Sequence, residues 1–257
     1  MSRMDRLVGL ARSFAVYYSI PFRQRRLRVL YGHFVKRGDL VFDVGAHLGN
    51  RTRAFAALGC HVVAVEPQPH VAAVLRRLTR RLKKVRIVER ALSSEPGHAK
   101  LSISERTPTV STLEAEWREA RRREAGFDGV HWNTSVDVQV TTLDALVKAY
   151  GVPAFIKIDV EGGELNVLRG LSQAVPALSF EFLPAALDTA EACIRQLEKL
   201  GAYQFNWSIA ESSELARTEW TDSATLLGEL RQSGSARHGD VYARLPRSAD
   251  TLPPAHT

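Results

Sequence analysis

The chain has 257 residues, 45% of them hydrophobic, and a formal net charge of +7. That length and composition allow one sizeable buried core, and an α/β domain of this size is commonly undivided. Cys60 and Cys193 are the only cysteines, which excludes a disulfide framework and a C-x-x-C metal site and makes a reducing cytoplasm the expected location.

The charge is placed at one end. Residues 1–39 hold nine Lys or Arg against Asp5 and Asp39, the whole of the formal excess. Leu7, Leu10, Ala11, Phe14 and Tyr18 fall at helical spacing, and Ile20-Pro-Phe22 precedes a second helical run from Gln24 to Val35. One reading is a basic amphipathic element, residues 1–37, that touches anionic membrane lipid or an acidic substrate. The other, adopted here for residues 1–38, is a pair of cover helices with a solvated basic face that roofs a ligand site. Arg12 interrupts the apolar run, no small-residue cleavage site follows, and the run is too short to span a bilayer. No signal peptide is therefore expected.

Asp39 to Asn50 reads as a strand, a tight turn and a helix start. Leu40 to Val44 is apolar and β-branched, as in a strand buried on both faces, and Asp43 lies near its end. Gly45 permits the turn and Gly49 lets the next helix approach the strand. The free N–H groups at that helix start face a ligand. The spacing is G-x-x-x-G, and His47 stands where a dinucleotide turn would carry its second glycine. A ligand without a pyrophosphate fits better. Cys60 to Glu66 is a second buried strand, and Glu66, 21 residues after Gly45, is placed to accept hydrogen bonds from both hydroxyls of a ribose. Taken singly, Asp43 and Glu66 also read as strand-end residues capping the next helix. Together with the glycines they point to an adenosine-containing ligand.

Gln68 to Leu82 follows as a helix with a cationic end, suited to the negative end of its dipole, and Val85 to Glu89 as the third strand. Lys100 to Ser104 is an extra strand after the Pro96-Gly97 turn. Residues 105–135 break the alternation: a loop from Thr107, a charged helical run from Glu114 to Glu124, and two glycines beside aromatics. An insertion there is a candidate substrate lid, with His131 and Trp132 read as local packing. Val136 to Thr141 alternates as a strand, Thr141 or Thr142 caps a short helix, and Asp144 in its first turn complements the dipole. Ala154 to Ile158 is the fourth buried strand and delivers Asp159, Glu161 and Glu164. A metal reading is set aside for want of a His partner, and because Glu164 opens an amphipathic helix. Ala177 to Phe182 brings Glu181 to the same rim. A helix from Asp188 to Leu200, a strand at Tyr203 to Ile209, a polar loop and a strand at Val241 to Leu245 close the domain; Pro246 to Thr257 is Pro-rich and expected to be a disordered tail.

Four blocks carry a resemblance: Val41-Phe-Asp-Val-Gly-Ala-His-Leu-Gly-Asn50, Val65-Glu-Pro67, Val140-Thr-Thr-Leu-Asp144 and Ile156-Lys-Ile-Asp-Val-Glu-Gly-Gly-Glu-Leu165. In them the sequence resembles the class I S-adenosylmethionine-dependent methyltransferases, and among these the FkbM type, over about residues 38–210. The first two blocks are common to many methyltransferases; the last is the specific one. The resemblance implies a Rossmann-like, mostly parallel sheet of seven strands with an antiparallel terminal hairpin and helices on both faces, over residues 39–245. It implies S-adenosylmethionine as cofactor, held by Asp43, Gly45, Ala46, His47, Gly49, Asn50, Glu66, Pro67, Ala91 beside the adenine, and Asp159. Asp159 and Glu161 would hold the methionine end and the substrate. Methyl transfer to a hydroxyl needs positioning and a base, and Glu161, Glu181, Asp159 and His47 are the available groups; Glu161, Glu181 and Asp159 are taken as catalytic. An Asn/Asp-Pro-Pro-aromatic block, usual in methylases of nucleic acid and protein amino groups, is replaced by Asp159-Val-Glu-Gly, so no nucleic-acid partner is expected. The resemblance implies O-methylation of a secondary metabolite, sugar or glycolipid. The alternatives are a nicotinamide oxidoreductase on the same sheet and a non-catalytic protein that keeps the cofactor fold.

Overall fold

The computed structural model describes residues 8–14, 20–123, 127, 129–209, 212–232 and 238–246. The expected tail beyond Pro246, together with Glu124 to Gly126 and Asp128 of the insertion, lies outside them.

A seven-stranded sheet carries the molecule. Its strands are β1 (Leu40–Val44), β2 (His61–Val65), β3 (Val85–Val88), β7 (Phe155–Ile158), β8 (Ala177–Phe182), β9 (Gln204–Ile209) and β10 (Gly239–Arg244), in the order β3-β2-β1-β7-β8-β10-β9. The five strands from β3 to β8 are parallel, while β10 runs antiparallel to both neighbours, with Asp240 opposite Glu181 on β8 and Ser208 on β9. The order reverses between β1 and β7, and at such a switch point the loops leave in opposite directions and open a crevice at the carboxyl ends.

Both faces are buried, which is why β1 reads as a continuous apolar run. Phe42 and Val44 share one core cluster with Ile156, Phe180, Leu168 and Ile194. It lies under α5 (Leu143–Tyr150), α6 (Glu164–Arg169), α7 (Leu187–Leu200) and α8 (Ser223–Gln232). On the other face Val41, Val62 and Phe155 meet Phe55 of α2 (Asn50–Ala57) and Leu27, Leu30 and Tyr31 of α1 (Arg23–Gly32). Tyr31 lies 4.2 Å from the ring centre of Phe55 and 5.7 Å from that of Phe155. Helix α3 (Pro69–Thr79) packs there through Leu75, against Ala46 and Ala64. Thr142 caps α5 by accepting from the N–H of Ala145 at 3.1 Å.

A second sheet stands apart, in the order β4-β6-β5: β4 (Ala91–Leu92) is parallel to β6 (Thr134–Thr141), and β5 (Gly97–Ile103) antiparallel to it. Two readings of the sequence are corrected. Gly97 opens β5 instead of forming a turn before it. The polar loop before the last strand contains α8, started by Asp222, which accepts from the N–H of Thr225 at 2.8 Å, and anchored by buried Leu226 and Leu230. That N-cap and the four-residue leucine spacing were the signals overlooked.

The insertion lies across the carboxyl end of β7. Thr112 Oγ1 donates to the carbonyl of Glu161 at 2.7 Å, and Asn166 Nδ2 donates to Glu114 Oε1 at 2.9 Å. Trp117 of α4 (Ala115–Arg121) packs so tightly on Gly162 that a Cβ there would sit 2.3 Å from its ring. Trp132 donates to the carbonyl of Val110 and meets Trp117 edge-on. Helical residues 8–14 reach the same segment, with a Cβ on Gly9 falling 2.1 Å from the carbonyl oxygen of Glu105.

Candidate active site

The crevice begins at Gly45. Its φ is +81°, and a Cβ there would lie 1.7 Å from the carbonyl oxygen of Asp159, so only glycine lets the β1 turn touch the end of β7. His47, also in the left-handed region at φ 47°, turns its backbone N–H toward β2 and donates to Glu66 Oε2 at 2.9 Å, while Gln68 N–H donates to Oε1 at 2.8 Å. Glu66 is fully buried, and burial pushes its carboxyl up to about 7 despite those two donors. Burial pushes His47 down to about 4, which keeps the imidazole neutral near pH 7.

Gly45, His47, Glu66, Pro67, Ala91, Asp159 and Glu161 line one cavity, closed on its far side by Leu101, Pro108 and Thr109 from β5 and the insertion. Asp43, Ala46 and Asn50 line an adjoining recess that shares Gly45, His47, Asp159 and Glu161. Asp43 is fixed from behind by the hydroxyl of Thr52, and burial raises its carboxyl. Gly49 lines neither space: a Cβ there would meet Leu75 at 2.5 Å, so it serves the contact between α2 and α3.

Glu181 joins Asp159 and Glu161 from the neighbouring strand, and the three offer oxygens within 4.8 Å of one another. Asp159 is flanked by cations, Arg51 at 3.3 Å and Lys157 at 3.7 Å. Burial opposes its charge, but Lys157 and Arg51 outweigh it and hold the carboxyl below its usual range. Lys157 is wholly buried, donates to Asp240 Oδ1 at 2.9 Å and to the carbonyl of Ile158 at 3.0 Å, and keeps its proton because Asp159 and Asp240 outweigh the cost of burial. Glu161 and Glu181 have the opposite fate. Burial, and then the fixed charge of Asp159, raise both well above the carboxylate range. Glu164 turns back to accept from the N–H groups of Val160 and Gly162, and burial raises it to about 7.

The sequence reading named the carboxylates but missed the groups that set their charge. Arg51 is the second residue of α2, directly after Asn50. Lys157 sits inside an apolar strand, and a cation in the middle of a buried run was the signal for it. Asp240 comes from a strand remote in sequence, which no local pattern links to Lys157.

The family described as the methyltransferase FkbM domain matches residues 43–205. The 31-O-demethyl-FK506 methyltransferase FkbM of Streptomyces tacrolimicus is 30% identical over 171 residues, 58% of this chain and 65% of its own, so the match spans just under two thirds of that relative. Among solved structures, precorrin-6y C5,15-methyltransferase of Geobacter metallireducens is similar at 13% identity and a TM-score of 0.44, over 86% of each chain. The O-methyltransferase of Bacillus cereus in complex with SAH is similar at 11% identity and 0.42, over 95% of this chain and 89% of that one.

Proposed function

The chain belongs to the FkbM methyltransferases; from that premise we propose that it is an enzyme that transfers a methyl group, with S-adenosylmethionine as its donor and a hydroxyl on a small molecule, sugar or glycolipid as its acceptor. The observation that carries the reading is the gathering of Asp159, Glu161 and Glu181 within 4.8 Å, beside the turn that joins Gly45 to Glu66.

The crevice walls fit this donor. Glu66 keeps lone pairs for two ribose hydroxyls after its two backbone contacts. Buried Asn50 Nδ2 and Gln68 Oε1 have no hydrogen-bond partner among the described residues, and both residues line the crevice. Buried polar atoms of this kind are ordinarily satisfied, so a polar ligand is the natural partner. When bound, S-adenosylmethionine supplies a methyl group on a positively charged sulfur.

The residues of this chain do the rest. Asp159, held ionised by Arg51 and Lys157, gives the crevice a fixed negative charge suited to the cationic donor. Glu161 or Glu181 takes the proton of the acceptor hydroxyl, the other remaining protonated because two carboxylates this close do not both ionise readily. The insertion over the Asp159 to Asn166 turn excludes water and holds the acceptor. Lys157 and Arg51 already offset the acid cluster, so the reading needs no metal ion and turnover should survive chelation. The name of the Streptomyces relative describes methylation at oxygen, which supports the same atom here. Incubation with S-adenosylmethionine and a panel of hydroxylated metabolites, with mass detection of one added methyl, tests the proposal. Methylation confined to amino groups would overturn it.

A further inference from the structure

Helix α1 has two unlike sides. Leu27, Leu30 and Tyr31 are buried against the sheet, which is the covering role. The other side is open: Val29, three and four residues after Arg26 and Arg25 and so on their face, is 62% exposed, and the chain enters the helix through Phe22, 76% exposed at its N-cap, and Ile20 at 37%. Arg25, Arg26 and Arg28 stand exposed in the same stretch, and Lys36 and Arg37 follow it. No Asp or Glu occurs between Asp5 and Asp39, so the helix carries these cations with no acid of its own to offset them.

A solvated cover helix accounts for the cations but not for a phenylalanine and a valine left open to water. We propose that this face of α1 docks on an anionic lipid surface, the arginines meeting headgroup charge while Phe22 and Val29 enter the headgroup and acyl boundary. Charge complementarity alone would also suit nucleic acid, whose phosphates give Phe22 and Val29 no apolar phase to enter; lipid uses both features. The docked helix is tied to the crevice, since Gln24 Nε2 donates to the backbone oxygen of Asn50 at 2.9 Å and to its Oδ1 at 2.6 Å. The proposal stands apart from the choice of methyl donor and acceptor.

The test is co-sedimentation of the full chain with phosphatidylcholine vesicles, with and without phosphatidylserine, at low and high salt. The expected result is binding to the anionic vesicles only, weakened by salt. Arg25→Glu/Arg26→Glu should lower the bound fraction at least about tenfold. Phe22→Ser/Val29→Ser should lower it about threefold or more while the salt dependence remains. All four side chains are exposed, so thermal midpoints should match the wild type and separate lost docking from lost fold. Failure of the wild-type chain to sediment with anionic vesicles, or wild-type binding by both folded variants, overturns the proposal. Release of the protein from vesicles by duplex DNA at equal phosphate concentration also overturns it and assigns the face to nucleic acid.

Discussion

At Glu66 the proposed donor site can be tested with a single residue. Removing its two acceptors from a buried site should weaken S-adenosylmethionine by about 1–3 kcal/mol in Glu66→Ala, and wild-type affinity by calorimetry would refute the ribose assignment. Its raised carboxyl adds a pH signature. The ionised form is the better acceptor, so affinity should fade as pH falls through about 7. Stability runs the other way. The folded group holds its proton more tightly than the unfolded one, so its contribution is present below an ordinary carboxyl value of 4.5 and lost as pH rises through about 7. Glu66→Gln should flatten both trends. The acid cluster separates by charge: Glu161→Gln and Glu181→Gln should keep donor affinity, and at least one should lose turnover by roughly 100-fold. Asp159→Asn, which removes the negative charge beside Arg51 and Lys157, should lose binding as well. Since burial and Asp159 raise both glutamates, turnover should fall away as pH drops through a value well above the carboxylate range. Full activity in both glutamine variants would leave His47, neutral near pH 7, or an acceptor acidic enough to need no base, as the surviving explanations.

At the scale of the element, β7 is where site and scaffold meet. Lys157 reaches past β8 to Asp240 on β10, so one buried ion pair ties the parallel sheet to its antiparallel hairpin while holding Asp159. Lys157→Met leaves Asp240 buried without its counter-charge and should cost about 3–5 kcal/mol in denaturant unfolding. Lys157→Met/Asp240→Asn should recover much of that stability. It should not recover donor affinity, because Asp159 still lacks its inner cation. Equal recovery of both would make Lys157 purely a strut. The strands around this pair were legible from their apolar runs, and the Thr142 cap from its hydroxyl. Helix α8 was not, because its polar start and short leucine pattern resemble a loop until Leu226 and Leu230 are seen to fill a gap in the core.

For the whole molecule, the N-terminal segment and the insertion bracket the crevice, one through Gln24 and Gly9, the other through Thr112 and Trp117. Deleting residues 1–37 removes Leu27, Leu30 and Tyr31 from the core face shared with Phe55 and Phe155. The thermal midpoint and donor affinity should fall together, and a truncated chain with an unchanged midpoint would show that α1 is no part of the core. Among the described residues no helix is long and apolar enough to cross a membrane. The sequence by itself determined the strands of the main sheet, the helices between them other than α8, the crevice turn and the acids at the strand ends. Those depend on periodicity, glycine conformation and short spacing, which are local properties. Only the tertiary structure decided which acids stay charged and where β6 pairs. Asp159 is ionised because Lys157 and Arg51 surround it, and Lys157 is held by Asp240, 83 residues away. β6 leaves the main sheet because β5, far back in the chain, takes it as partner. Charge and strand pairing follow from through-space neighbours, and those exist only once the chain has folded.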